Sequence, residues 1–504
     1  MKRKKNILVS SAVICLFSFA CRGSGMLFRL YLASRMGSEG MGLYQLVLSV
    51  YSLFASFANS GLTLSVSHII AGETEKANGE KASRDALSAS FRFALITGIS
   101  SMTLLVFLSM PMSALILGDA RTLLPLRLLA LSMPFMALSS CFKGWFMAKE
   151  RYVIPSSAQL FEDLCKIGLT YTVFTLFLGD TTDTGLLCAG LTAGLTAGEV
   201  FSCCYVALFF AFSKRYRYKR HEKRGYGIAK ISHCALPVAA GGWLNSGLHT
   251  AENVLIPYCF TLYGGGTSKA LSDFGLIRGM VIPVLFFPFA FLSAVVSILI
   301  PSLSRLDASG DKDKRNASIK STLRLAIVFG VASGSLFYFF PNEISVCFYG
   351  SADAAGALKI LALVTPFMYI ETICEGILKG IGEQAYTMRV TLYNCVSRII
   401  IILLLIPRTG AAGYLWLLVV SNTFSFIMCY VRVVRVSGQR HGLIGYFAIA
   451  SFGAVISGLI SSKLLALLEL SGKVMPALCA SAMFITVFAS LCFLLLKNGN
   501  RKTV

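Results

Sequence analysis

The feature that most limits what this chain can become is a series of apolar runs, each long enough to cross a bilayer, separated by short polar stretches. They fall at 7–34, 43–71, 86–110, 123–147, 157–178 and 185–212, and then at 230–260, 272–303, 321–340, 355–379, 387–407, 411–436, 443–467 and 474–497. A hydrocarbon core ~30 Å thick takes about 20 helical residues to cross. The expected fold is therefore an all-α polytopic membrane protein of about fourteen transmembrane helices.

Composition agrees. The 504 residues are 56% hydrophobic and only 14% charged, with a mean hydropathy of +0.71, whereas a soluble chain carries roughly 25% charged residues. The net charge of +22 sits in short loops rather than in a basic soluble domain, so no nucleic-acid partner is expected. The 15 cysteines are scattered along apolar runs without CxxC or Cys/His spacing, which reads as small buried hydrophobes and no metal site. No Walker loop, nucleophile elbow or HExxH motif occurs, so neither an enzyme nor an ATP-driven pump is expected, and no cofactor is implied.

Loop charge sets the orientation. Lys2 to Lys5, Lys76, Lys81, Arg84, Lys143, Lys149 and Arg151 lie on one side. The same side holds eight Lys/Arg in 213–230, five in 305–320, then Arg432, Arg435, Arg440 and the tail Lys497, Arg501 and Lys502. The opposite loops hold only scattered cations such as Arg35, Arg121, Lys269, Arg408 and Lys473. By the positive-inside rule both termini are cytoplasmic, with an uncleaved first span, in a bacterial cytoplasmic membrane.

The two halves read as a parallel repeat. Lys143-Gly144 closing span four resembles Lys379-Gly380 closing span ten, and Leu64 to Ile70 resembles Val295 to Pro301. Both matches are offset by about 230 residues. The organisation expected is two pseudo-symmetric six-helix lobes, 1–229 and 230–440, with two further helices and a cytoplasmic tail in 441–504.

Polar residues inside the spans mark the candidate site. Arg22 and Arg29 are seven residues apart, on one helix face and about 10 Å apart along its axis. A rise counted from Ile7 puts Arg22 about 22 Å into the core and Arg29 near the outer interface, where snorkelling is the alternative. Arg278 lies in the outer third of span eight, and Asn59 in span two. A planar guanidinium suits phosphate, because it offers two charge-assisted hydrogen bonds at once. The competing reading is a structural ion pair between the halves. Asn245, His249 and Glu252 follow helical spacing on span seven, where Glu252 either carries a coupling Na+ or H+ or neutralises Arg22. Asn394 and Arg398 lie on span eleven, and Glu199 on span six. Glu371, Glu375 and Lys379 share a face of span ten and read as a gate, as do Glu162 and Lys166 on span five.

The run Phe28-Arg29-Leu30-Tyr31-Leu32-Ala33-Ser34-Arg35, leading into Gly37-Ser38-Glu39-Gly40-Met41-Gly42-Leu43-Tyr44-Gln45, resembles the opening of stage V sporulation protein B-like transporters. Gly376-Ile377-Leu378-Lys379-Gly380-Ile381-Gly382 extends the likeness. That family belongs to the multidrug/oligosaccharidyl-lipid/polysaccharide flippase superfamily, with the lipid II flippases. The resemblance implies two six-helix lobes around a cationic cavity, and an added helix pair forming a groove for a polyprenyl tail. It implies that Arg22, Arg29 and Arg278 face a lipid-linked pyrophosphate. Some relatives have a sodium site on spans seven and eleven; Glu252 and Asn394 match it, but Arg398 stands where an acidic residue is expected.

The reading is a monomeric flippase for a lipid-linked oligosaccharide or peptidoglycan precursor, working by alternating access among membrane lipids. A cation-coupled multidrug exporter of the same fold is the alternative, and a non-transporting scaffold for cell-wall synthesis is the second.

Overall fold

A computed structural model describes residues 2–59, 61–74, 79–213, 228–439, 442–468 and 474–500. The basic loop Lys214–Arg224, along with Lys76, Arg440, Lys473, Arg501 and Lys502, lies outside them. Among the described residues there is no strand. The helices are α1 (Lys2–Asn59), α2 (Leu62–Thr74), α3 (Gly79–Pro111), α4 (Leu123–Ala130), α5 (Met133–Ala148), α6 (Val153–Val173) and α7 (Thr184–Phe212). They continue as α8 (Ile228–Tyr263), α9 (Gly266–Phe274), α10 (Ile282–Phe286), α11 (Phe289–Ala308), α12 (Lys312–Phe339) and α13 (Pro341–Tyr349). The rest are α14 (Ala355–Ala362), α15 (Thr365–Gly380), α16 (Gln384–Ser437), α17 (Leu443–Leu467) and α18 (Met475–Asn500).

Among the described residues eight helices are long and apolar enough to cross a bilayer, or nine if α14 and α15, bent by 54°, form one span. In hydrocarbon a helix satisfies its backbone internally, which is why each apolar run takes this form. Two runs fuse to their successors through glycines: Gly37 (φ 65°) inside α1 and Gly410 (φ 61°) inside α16. Both occupy the left-handed region that glycine reaches without a Cβ clash. The Asp183 side chain caps α7, accepting from the amides of Gly185 (2.8 Å) and Leu186 (3.3 Å). Phe107, Leu115, Phe177, Phe212 and Ile444 are largely exposed, as on a surface that faces lipid.

By packing, the chain forms two compact units. The first comprises Met1–Leu32 and Glu39–Tyr258. It keeps most of α8, so its boundary falls at Tyr258 rather than at residue 229. Trp243 Nε1 donates to the Ser56 carbonyl at 3.0 Å and Thr250 Oγ1 to the Ser49 carbonyl at 2.8 Å, while Ile231 packs with Ile69, Ala86 and Ala89. The core of this unit joins Leu62, Val66 and Ile70 of α2, Leu87 and Ala94 of α3, and Ala137, Cys141, Trp145 and Phe146 of α5. Rings of Phe91, Phe142 and Phe210 close against it. In lipid such a core is held by close packing rather than by escape from water.

The second unit comprises Ala33–Ser38 and Cys259–Val504. Here α12 packs on α15 and on α17, which in turn packs on α18. Phe289, Leu292 and Tyr369 form a cluster with Phe286, Phe329 and Met368.

The repeat is written in matched close approaches within each unit. A Cβ on Gly98 would lie 2.8 Å from Pro134 Cα, and one on Gly330 would lie 3.0 Å from Pro366 Cα. A Cβ on Gly144 would lie 3.0 Å from Val66 Cβ, and one on Gly376 would lie 2.7 Å from Val296 Cγ1. Each pair is offset by about 230 residues. Gly144 therefore corresponds to Gly376, one helical turn before the Gly380 that the sequence match selects. Packing decides this register, because the two sequences alone share only Lys-Gly.

Candidate functional site

In the first unit, Arg22 lines a cavity of about 480 Å³ together with Phe17, Ser18, Cys21, Pro155, Ser156 and Gln159. Its side chain is exposed, and among the described residues it makes no ion pair or hydrogen bond. Pro155 to Gln159 occupy the first two turns of α6. Arg22 is thus level with the start of that helix, not with its far end, so the depth counted from Ile7 is corrected. Gln159 and the thiol of Cys21 carry the polar wall onward: Gln159 Nε2 reaches Glu162 Oε1 and Asp163 Oδ1, both at 3.4 Å, and Cys21 is within hydrogen-bond reach of Asp163. Arg29, two turns along α1, is partly buried in the neighbourhood of Tyr44.

Behind this wall lies a charge cluster from three helices. Lys166 Nζ of α6 meets Glu162 Oε1 at 2.5 Å and Glu199 Oε1 of α7 at 3.7 Å, and Lys143 Nζ of α5 lies 3.5 Å from Glu162 Oε2. The Glu162 side chain is 4% exposed. Two ammonium groups against two carboxylates make the cluster neutral, which is the condition for keeping charge inside a membrane span. Glu162 and Lys166 form the i,i+4 pair read from the sequence; Lys143 and Glu199 join from other helices.

On α8, His249 Nδ1 lies 3.6 Å from Glu252 Oε2; Glu252 is fully buried while the imidazole is half exposed. Asn245 precedes them by one turn and is partly buried. Asn59 ends α1, and its Oδ1 is buried without a hydrogen bond from a described residue. The backbone is interrupted there, since α2 starts only at Leu62. Two carbonyls near the end of α1 accept from neighbouring helices: Ser56 from Trp243 Nε1, and Ala58 from Thr97 Oγ1 at 3.1 Å.

The second unit repeats this device. Between α10 and α11 the chain breaks at Phe287 and Pro288, and the Leu285 carbonyl accepts from Tyr369 Oη at 2.5 Å. Just before it, Arg278 lies in a π-helical segment, Gly275–Val281, where the Met280 carbonyl accepts from Tyr349 Oη at 2.8 Å. Interrupted spans at corresponding places in two halves are where transporters of this kind gather ligand-binding groups. The sequence did not reveal either break, because both fall inside continuous apolar runs; the only signals were Gly61 and Pro288.

Asn394 Nδ2 of α16 donates to Ser425 Oγ at 2.6 Å, and Arg398 Nε to Ser421 Oγ at 2.8 Å. Glu371 of α15 is within hydrogen-bond reach of Ser425 and close to Arg398. Glu375, one turn along the same helix, is also close to Glu371. Lys379 Nζ pairs with Glu375 Oε2 at 2.7 Å in a partly exposed position.

A helical, internally repeated chain with buried carboxylates and partly buried arginines among its spans has the architecture of a multi-pass membrane transporter. Residues 7–306 match the family described as polysaccharide biosynthesis protein, and the chain belongs to that family, within the multidrug/oligosaccharidyl-lipid/polysaccharide superfamily. Residues 268–404 also match the MatE family. The chain is similar to stage V sporulation protein B of Bacillus subtilis (strain 168), at 22% identity over 92% of this chain and 90% of the relative. It is similar to lipid II flippase MurJ of the same organism, at 20% identity over 87% of this chain and 84% of the relative. Among solved structures, an inward closed lipid II flippase MurJ aligns with a TM-score of 0.68 at 15% identity, over 96% of this chain and 99% of that one. An inward-facing multidrug resistance MATE family transporter aligns with a TM-score of 0.66 at 14% identity, over 85% of this chain and 98% of that one.

Proposed function

We propose that this protein flips a lipid-linked oligosaccharide or peptidoglycan precursor, carried on a polyprenyl pyrophosphate, across the cytoplasmic membrane by alternating access. The observation that carries the reading is Arg22, a cation on a membrane helix that no described side chain neutralises and that faces a cavity of about 480 Å³. A guanidinium left without a counter-ion in such a cavity is suited to an anionic ligand. Its guanidinium offers a phosphate two parallel hydrogen bonds, and Ser18, Ser156 and Gln159 add neutral polar groups beside it. The similarity to a lipid II flippase points the same way. In this reading Arg29 and Asn59 of the same unit contribute further contacts to the substrate, and the protein works as a monomer.

Both termini are on the cytoplasmic side, as the loop charges require. An inside-negative potential then favours export of the anion by ~2.3 kcal/mol per charge per 100 mV. Glu252 with His249 and Asn245, all on α8, is the place for a coupling Na+ or H+. The Glu375–Lys379 pair forms and breaks as a gate. At partial exposure such a pair contributes only about 0.2–1 kcal/mol, which suits a contact that must open in each cycle.

A cation-coupled multidrug exporter is the second reading, favoured by the MatE match over residues 268–404. The two separate on Arg22. In vesicles, Arg22→Lys should impair flipping of a lipid-linked precursor, because an ammonium lacks the two-donor fork. Arg22→Ala should abolish flipping while the membrane level of the protein stays near normal. Unchanged flipping by Arg22→Ala, with cationic dye export by the parent, would favour the exporter.

A further inference from the structure

A second cavity in the first unit, about 310 Å³, lies between α1, α3 and α8 and has no part in the site above. Phe57, Phe93, Ile96, Leu104, Leu236 and Trp243 supply its apolar lining. Two of the polar groups on its wall are spent on backbone carbonyls, Trp243 Nε1 on that of Ser56 and Thr97 Oγ1 on those of Ala58 and Ala94, which leaves the hydroxyls of Ser100 and Ser101. Most of the lining is apolar and offers ordered water few partners. Ile96, Leu104 and Leu236 are each about half exposed, so the cavity opens sideways.

Its length identifies what fills it. From Phe93 to Leu104 along α3, at ~1.5 Å per residue, the lining runs about 16 Å. That is about half of a hydrocarbon core ~30 Å thick, the reach of one chain in one leaflet. Its volume lies at the small end of the ~300–1,000 Å³ range of ligand pockets, room for part of one hydrocarbon chain. It also sits directly behind the interruption after Asn59, because Phe57 and Trp243 both line it.

We propose that this cavity binds a single acyl chain of a bilayer phospholipid, which packs behind the break between α1 and α2. Protein interiors are close-packed, and an interrupted helix has lost part of its own ladder, so a filler from the bilayer completes the packing that the chain leaves open.

Trp243 itself is the probe. The protein has three tryptophans, and Trp416→Phe removes one that is exposed. Trp145 remains as a buried reference in the α2–α5 core. The variant is placed in phosphatidylcholine vesicles with plain or dibrominated acyl chains, since bromine quenches indole on contact. The account expects partial loss of emission in the brominated vesicles, relieved by Ser100→Leu and by Ala239→Leu, which fill the cavity from opposite walls. Ser100 is exposed, so its variant decides the matter should Ala239→Leu fail to accumulate. Unchanged emission in brominated vesicles would overturn the proposal. So would quenching that survives the filled cavity. Relief by added polyprenyl phosphate would overturn the assignment to a phospholipid chain.

Discussion

Lys166 is held where a charge would otherwise be untenable, with Glu162 at 2.5 Å and Glu199 at 3.7 Å on a neighbouring helix. Removing one member of such a cluster strands its partner in low dielectric, at a cost of about 3–5 kcal/mol. Lys166→Ala should therefore lower the thermal stability of the purified protein sharply, and Glu162→Gln in the same background should recover much of the loss. Equal melting of Lys166→Ala and the parent would show the cluster to be an incidental contact. The Glu162–Lys166 pair was legible in the sequence, since i,i+4 spacing places both on one face. Lys143 and Glu199 were not, because nothing in a sequence states which faces of α5 and α7 meet α6. Arg22 was legible as a cation on the first span but not in its depth. Counting rise from Ile7 assumes that the membrane begins there, whereas α1 is already helical from Lys2 and passes the start of α6 at Arg22.

At the scale of the element, the two interrupted spans carry the most information. Each break leaves carbonyls that hydrocarbon cannot satisfy, and each time an aromatic side chain with a polar tip supplies the donor, Trp243 in one unit and Tyr369 in the other. Trp243→Phe and Tyr369→Phe keep the rings and remove the donors. Each should lower thermal stability in detergent by about 0.6 kcal/mol and by no more than about 1.7, the mean and the maximum measured for hydrogen bonds between membrane helices. A larger loss in Trp243→Leu than in Trp243→Phe would separate ring packing from the hydrogen bond. No loss in either phenylalanine variant would mean that water reaches the freed carbonyls. The apolar runs predicted the helices well; for example, the run 185–212 became α7, Thr184–Phe212. The breaks, the π-helical turn around Arg278 and the bend between α14 and α15 escaped that reading, because apolarity averaged over a span is blind to local backbone geometry.

At the scale of the whole molecule, the proposed orientation and cargo rest on the distribution of charge. A cysteine placed at Ser268 in a cysteine-free background should react with an impermeant maleimide added outside intact cells, and one placed at Gly225 should not. The reverse pattern would invert the proposed topology and the direction of transport. The repeat is legible in sequence only as an offset of about 230 residues, and its register comes from packing, through Gly144 with Val66 and Gly376 with Val296. The bonds of Trp243 to Ser56 and of Thr250 to Ser49 explain why α8 belongs mostly with the first unit while the sequence places it at the start of the second half. The most direct test of the central claim is native mass spectrometry of the purified protein with its co-purifying lipids, run beside Arg22→Ala. The account predicts a polyprenyl-pyrophosphate adduct on the parent that is lost from the variant. An equal adduct on both, or none on either, would contradict it.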